Sequence, residues 1–209
     1  MYNELVEACL NAFESFIKKC PKEISSYLKE VLATATDLMA YDPNYTYDVE
    51  GMKVEEEEEG WGSDWEEDMN LQEDDDDTSW KVRRASVRVI DSIIKTRPEM
   101  LREIYKDLSL NIMGRFKERD ENVKCDILRT FCSMLKTTGI TENMQPLQQD
   151  LELERAPSLV RQRSSAEALY EHIPLTLSEL LKQLENKSAN VRAVVLQVSL
   201  SVLTVADCE

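Results

Sequence analysis

Any Cys–His pair in this 209-residue chain must draw on five cysteines, Cys9, Cys20, Cys125, Cys132 and Cys208, and on one imidazole, His172. Nucleophilic catalysis needs a base within hydrogen-bond reach of the thiol. His172 stands before Ile173-Pro174 with no accompanying motif, so it reads as a surface or loop residue. Cys125 and Cys132 are seven residues apart and share a helical face, and Cys9 lies in an apolar stripe; all three read as buried small hydrophobes. The cysteine count is odd and no CxxC spacing occurs, which argues against a disulfide framework or a zinc site and fits a reducing compartment. The carboxylate clusters at Asp64 to Asp68 and Asp74 to Asp77 lack the spaced ligands and turn glycine of an EF-hand, leaving only diffuse cation binding. No residue is assigned to catalysis, to a cofactor or to a metal, and the chain is not expected to be an enzyme.

Recognition chemistry is better represented. On a helix starting near Trp80, Val82, Ala85, Val89 and Ile93 form the stripe that should be buried. Arg84, Arg88, Asp91 and Lys95 repeat at steps of 4, 3 and 4 and must share another face, which is either a solvated charge ladder or a partner-facing surface. Arg84, Arg88 and Lys95 are therefore candidate partner-binding residues. A second basic group, Arg115, Lys117, Arg119 and Lys124, surrounds a helix-to-helix turn, diluted by Glu118, Asp120 and Glu121. From it, Lys117, Arg119 and Lys124 join the candidates. Trp61 and Trp65, set among acids beside Gly60 and Gly62, are either short aromatic anchors or solvated loop residues.

The elements that hold these residues follow from composition. Residues 42–78 contain 17 carboxylates and one lysine, Lys53, and so account for the whole net charge of −16; the remainder is balanced at 24 acidic and 24 basic residues. Runs such as Glu55 to Glu59 repel themselves and bury too little apolar surface to offset ordering entropy, so the segment is expected to be a disordered acidic loop. A balanced body with such a loop repels phosphate, which excludes nucleic acid as a partner. With 42% apolar residues but only 5 Gly and 6 Pro, the body should be all-α. No apolar run approaches the roughly 20 residues of a membrane span, and Met1 to Leu10 lacks a basic leader region. Neither a membrane nor a small-molecule substrate is expected.

Helix pairs repeat. Leu5, Ala8, Ala12, Ser15 and Lys18 before Pro21 align, at an offset of 77, with Val82, Ala85, Val89, Ser92 and Lys95 before Pro98. Val82-Arg83, Val123-Lys124 and Val191-Arg192 supply a second alignment, each preceded by polar capping candidates; the first interval, 41 residues, is a HEAT or armadillo period. The pattern predicts helices near 2–19, 22–41, 79–96, 98–117, 121–138, 160–185 (with Pro174 as a possible break) and 188–206. One array spans 1–209, with the acidic loop at 42–78 inside a repeat and an irregular insertion at 139–158. The first repeat lacks its partner helix and the last helix lacks a polar cap, as expected of a segment from a longer solenoid.

Several stretches resemble a known family. Cys20-Pro21-Lys22-Glu23, Tyr41-Asp42-Pro43-Asn44-Tyr45-Thr46-Tyr47-Asp48 opening an acidic loop, Ser79-Trp80-Lys81-Val82-Arg83-Arg84-Ala85, and Arg115-Phe116-Lys117-Glu118-Arg119 with Glu121-Asn122-Val123-Lys124 are similar to the cullin-associated, neddylation-dissociated family. The resemblance covers residues 1 to 138 and fades from about Thr138 to Tyr170. It implies a right-handed HEAT-repeat solenoid, of which this chain resembles the N-terminal third. It also implies a non-enzymatic clamp on an unneddylated cullin and its RING-box subunit that governs exchange of substrate receptors on ubiquitin ligases, in cytoplasm and nucleus. Arg83 resembles the HEAT arginine that pairs with an acid of a neighbouring repeat, and Trp80 beside it is taken as a second inter-repeat residue. The rival reading is a free-standing acidic chaperone for histones or other basic proteins, in which the loop is the functional element.

Overall fold

Apolar stripes at helical spacing produce seven α-helices in the structure, a computed structural model that describes residues 2–43, 77–153 and 165–206. They are α1 (Asn3–Lys19), α2 (Leu28–Met39), α3 (Ser79–Thr96), α4 (Leu101–Gly114), α5 (Glu121–Leu153), α6 (Ser165–Leu184) and α7 (Ala189–Ala206). No strand occurs among the described residues. Residues 44–76 and 154–164 lie outside them, so the expected disorder of the acidic loop, and Trp61 and Trp65 within it, lie outside as well.

Short side chains set several boundaries. Asp120 caps α5, its Oδ1 accepting the Val123 amide at 2.9 Å, and Ser188 Oγ accepts the Val191 amide at the start of α7. α2 begins six residues later than the pattern predicts. Ser25 Oγ donates to the Lys22 carbonyl at 2.6 Å, and a 3₁₀ turn at Ser25–Tyr27 replaces the expected first helical turn, since serine bonds its own backbone in competition with the helix. α5 differs in the other direction. An irregular stretch was expected from 139, yet the helix runs to Leu153; residues 141–153 are rich in Glu, Gln, Leu and Met, whose helix propensity outweighs Gly139 and the enclosed Pro146. Only 154–158 of that proposed insertion fall outside the described residues.

Two layers result, as in a HEAT-type helical-repeat stack. α1, α3, α5 and α7 pack successively side by side; α2 packs on α3, α4 on α5 and α6, and α6 on α7. Val82, Ala85, Val89 and Ile93 of α3 are all buried, and Phe116 meets Phe131 edge to face at 5.5 Å between ring centres. Tyr105 of α4 bonds Thr138 of α5 at 2.7 Å, fixing first helix to second. Cys125 and Cys132 are buried, but Cys9 is exposed. The stripe of α1 that should hide Cys9 is the one that has no helix packed on it among the described residues, so a correct periodicity does not deliver burial there. No helix of the described residues is long and apolar enough to cross a membrane.

Candidate partner-binding surface

The side-by-side layer presents one charged face, and α3 dominates it. Arg84, Arg88 and Lys95 share its solvent side, as their spacing requires, with side chains 40%, 51% and 57% exposed. None is a free cation. Arg84 Nε bonds Asp126 Oδ2 of α5 at 2.8 Å, Arg88 lies 3.6 Å from Glu14 of α1, and Lys95 bonds Asp91 one turn back at 2.6 Å. The first two pairs stitch α3 to both lateral neighbours. At this exposure each contributes about 0–1 kcal/mol, so a competing carboxylate can displace them at little cost. A shallow depression between α1 and α3, about 160 Å³, joins Arg84 and Arg88 to Glu7, Asn11, Trp80 and Lys81. Trp80 is half-buried against the core, with Lys81 Nζ 5.9 Å from its ring centre.

Behind that face lies a different kind of charge cluster. Arg83 is 1% exposed and grips Glu118, itself fully buried, through two parallel bonds of 3.1 Å. Its Nη1 also donates to Ser79 Oγ at 2.7 Å and to the Tyr41 carbonyl at 3.3 Å, and lies 3.4 Å from Asp42. Arg115 donates to the same Glu118. Arg119 forks onto Asp42 at 3.0 and 3.1 Å and also donates to Asp77. Three arginines thus meet three carboxylates drawn from both flanks of the acidic insertion and from the α4–α5 turn.

The electrostatics follow from these contacts. Burial pushes the Asp77 carboxyl upward, but hydrogen bonds from the Ser79 side chain and amide and the Arg119 charge outweigh it and hold Asp77 below the ordinary carboxylate range. Burial opposes the Arg119 charge, while Asp42 and Asp77 more than compensate and raise its pKa. Burial depresses Lys124, with Glu118 acting against it. Burial likewise raises the Cys125 thiol, which makes it a poor nucleophile.

The basic candidates therefore separate into three places. Arg84, Arg88 and Lys95 occupy one exposed face; Lys117 is exposed at the α4–α5 turn; Arg119 belongs to the charge cluster behind, at its exposed rim, and Lys124 borders it. His172 sits within α6, half-buried. Sequence reasoning missed the carboxylate partners, Glu14, Asp42, Asp77, Glu118 and Asp126. Offsets of 42 between Arg84 and Asp126 and 35 between Arg83 and Glu118, near one repeat period, were the signal available.

No family model matches the chain. It is similar to cullin-associated NEDD8-dissociated protein 1 of Drosophila melanogaster, 32% identical over 194 residues that cover 91% of this chain and 14% of the relative. It is similar to cullin-associated NEDD8-dissociated protein 2 of Mus musculus, at 34% over 191 residues, 91% of this chain and 15% of the relative. Against protein 1 of Arabidopsis thaliana it is 38% identical over 136 residues, 65% of this chain and 11% of that relative. The chain spans 11 to 15% of the length of these curated relatives. With its helical-repeat fold and these identities, it belongs, as a segment, to the cullin-associated NEDD8-dissociated protein family.

Proposed function

We propose that the chain is part of a non-enzymatic, cullin-binding regulator of ubiquitin ligase assembly. The observation that carries this reading is similarity to proteins named for cullin association, extending over nine-tenths of the chain. In this reading the N-terminal third of the longer array clamps an unneddylated cullin with its RING-box subunit, in cytoplasm and nucleus, and thereby governs exchange of substrate receptors. The face of α3 carrying Arg84, Arg88 and Lys95 is the cullin-facing surface. Its chemistry supports that role: arginines held in weak lateral ion pairs are pre-positioned yet exchangeable for a partner's carboxylates. Lys117 extends the surface toward the α4–α5 turn.

The experiment is titration of an unneddylated cullin–RING-box complex with the chain and with the double variant Arg84→Glu, Arg88→Glu. Dissociation should speed and Kd rise at least about tenfold, a loss of about 1.4 kcal/mol, with helical content unchanged. Equal affinity of the variant refutes the assignment of the face. Failure of the unaltered chain to bind the cullin complex, together with salt-sensitive capture of basic proteins in general, would instead support the acidic-chaperone reading.

A further inference from the structure

We infer that the solvent face of the side-by-side layer is a ladder of cations, one rung per repeat, that takes an extended acidic segment of a protein partner with carboxylates spaced three residues apart. The inference comes from register. α1 meets α3 through Asn3 with Thr78 and Glu14 with Arg88, at offsets of 75 and 74. α3 meets α5 through Asp77 with Arg119 and Arg84 with Asp126, both at an offset of 42. A steady offset along each pair means that the three helices run parallel, level to within three residues of the internal alignment at 77 and 41.

That register sets Lys18, Lys95 and Lys136 at one level, one on each helix, with Arg88 and Arg129 two turns back from the last two. All five are exposed. Packed helix axes stand about 8–10 Å apart, so the rungs do as well. Cations also outnumber carboxylates here. Glu14 serves both Lys18, at 2.5 Å, and Arg88; Asp126 serves both Arg84 and Arg129, the latter at 3.0 Å; Asp91 serves Lys95. Lys136 pairs with no carboxylate of the described residues, since Cys132 stands one turn back where α1 has Glu14 and α3 has Asp91. Six cations against three carboxylates leave an excess of three, on a chain whose net charge is −16; Glu7 and Lys81 beside them cancel.

The spacing selects the ligand. In an extended segment of polyproline II type, residues three apart face the same way about 9 Å apart. In a β-strand side chains alternate, so same-side residues come at roughly 7 or 13 Å and miss alternate rungs. Carboxylates at i, i+3 and i+6 of the polyproline form therefore meet Lys18, Lys95 and Lys136 in turn. The chain's own insertion lacks that register: acids at i, i+3 and i+6 occur nowhere in residues 44–76, whose carboxylates come in runs such as Glu55 to Glu59. The occupant is accordingly a segment of another protein. This deepens the proposed protein-binding role of the face and rests on it, but the ladder is tested without the cullin.

Two synthetic peptides of equal length and charge serve as probes, one with glutamate at every third residue and one with the glutamates in a single run. Each is titrated into the whole chain while lysine side-chain NMR signals are followed, at about 0.15 M salt, where the Debye length is ~8 Å and distant charge is screened. The spaced peptide should shift Lys18, Lys95 and Lys136 saturably and bind roughly three- to tenfold tighter than the clustered one. Lys136→Glu should weaken its binding by a similar factor with circular dichroism unchanged. Lys106→Glu, the same charge change at an exposed position of α4 in the other layer, should leave binding as it was. Absence of saturable shifts overturns the inference; equal binding of the two peptides, or equal effects of the two variants, overturns it in favour of diffuse attraction. Movement of the three lysine signals when residues 44–76 are replaced by a neutral linker, with no peptide present, overturns it in favour of the chain's own acids. If the spaced peptide binds in register while the cullin complex does not bind, the ladder stands and the cullin assignment alone fails.

Discussion

Replacing Arg83 by methionine removes one cation from a buried cluster whose charges otherwise balance. Arg83, Arg115 and Arg119 face Asp42, Asp77 and Glu118, and both Glu118 and the Asp42 side chain are fully buried. Methionine fills much of the volume but supplies none of the donors that reach Glu118, Ser79 and the Tyr41 carbonyl. Breaking one partner out of a buried pair costs about 3–5 kcal/mol, because the remaining charge is left uncompensated. For a chain of this size 1 kcal/mol shifts the melting temperature by about 2–4 °C, so a fall of about 6–20 °C is expected by circular dichroism at 222 nm. Glu118→Gln should also destabilise, leaving the opposite charge in excess. The double variant restores neutrality, so its cost should fall below the sum of the singles by about 0.5–3 kcal/mol. A single variant within about 1 kcal/mol of wild type, or strict additivity in the cycle, would refute the assignment of the cluster as a balanced unit.

Val89→Asp places a carboxylate at a fully buried position of α3 and should cost several kcal/mol, on the order of 3–5, read by urea denaturation; an unchanged midpoint would misplace the stripe. Asp77 has a folded pKa below its ordinary value, so the stability it contributes is complete above the unfolded pKa and is lost as pH falls through the folded one. Asp77→Asn should therefore flatten the acid side of the stability profile below about pH 4, and a profile of unaltered slope would contradict this. Replacing residues 44–76 by a linker of about six residues should leave the helical signal intact and ease loop closure by about 1.5 kcal/mol. A cut that also takes Asp77 should cost stability that the shorter cut does not, and equal stability of the two would remove Asp77 from the cluster.

How much could be read from the sequence depends on the range of the interaction. Helix positions followed from local periodicity, and α3 lies where the stripe from Val82 to Ile93 predicts. Boundaries failed where side chains compete with the backbone, at Ser25, or where propensity outran a poor pattern, beyond Gly139. Burial of Cys9 failed for another reason: periodicity identifies an apolar face but is silent on whether a neighbour covers it. The spacing of Arg84, Arg88 and Lys95 put them on one face, yet not the carboxylates across the grooves from them. Glu14 and Asp126 come from the preceding and following lateral helices, and pairing of that kind emerges only when the repeats are stacked.

The placement of Asp42 and Asp77 connects the charge of the chain to its fold. They stand at the two flanks of the 33 residues 44–76, and both contact the one guanidinium of Arg119. Two carboxylates brought that close repel each other without a shared cation. Arg119 supplies that cation at the rim, while Arg83, reaching Asp42 from below, ties the same point to Glu118 and thus to the next repeat. Because the flanks are joined through side chains of α3 and the α4–α5 turn, the length of the insertion between them should weigh little on the α2–α3 packing, closure entropy growing only slowly with loop length. The sequence that closes the neck, Asp42 on one side and Asp77-Thr78-Ser79 on the other, is then under structural constraint. Charge in the insertion and charge at its neck are separate features, and the −16 of the chain says nothing about the three arginines and three carboxylates paired at that neck.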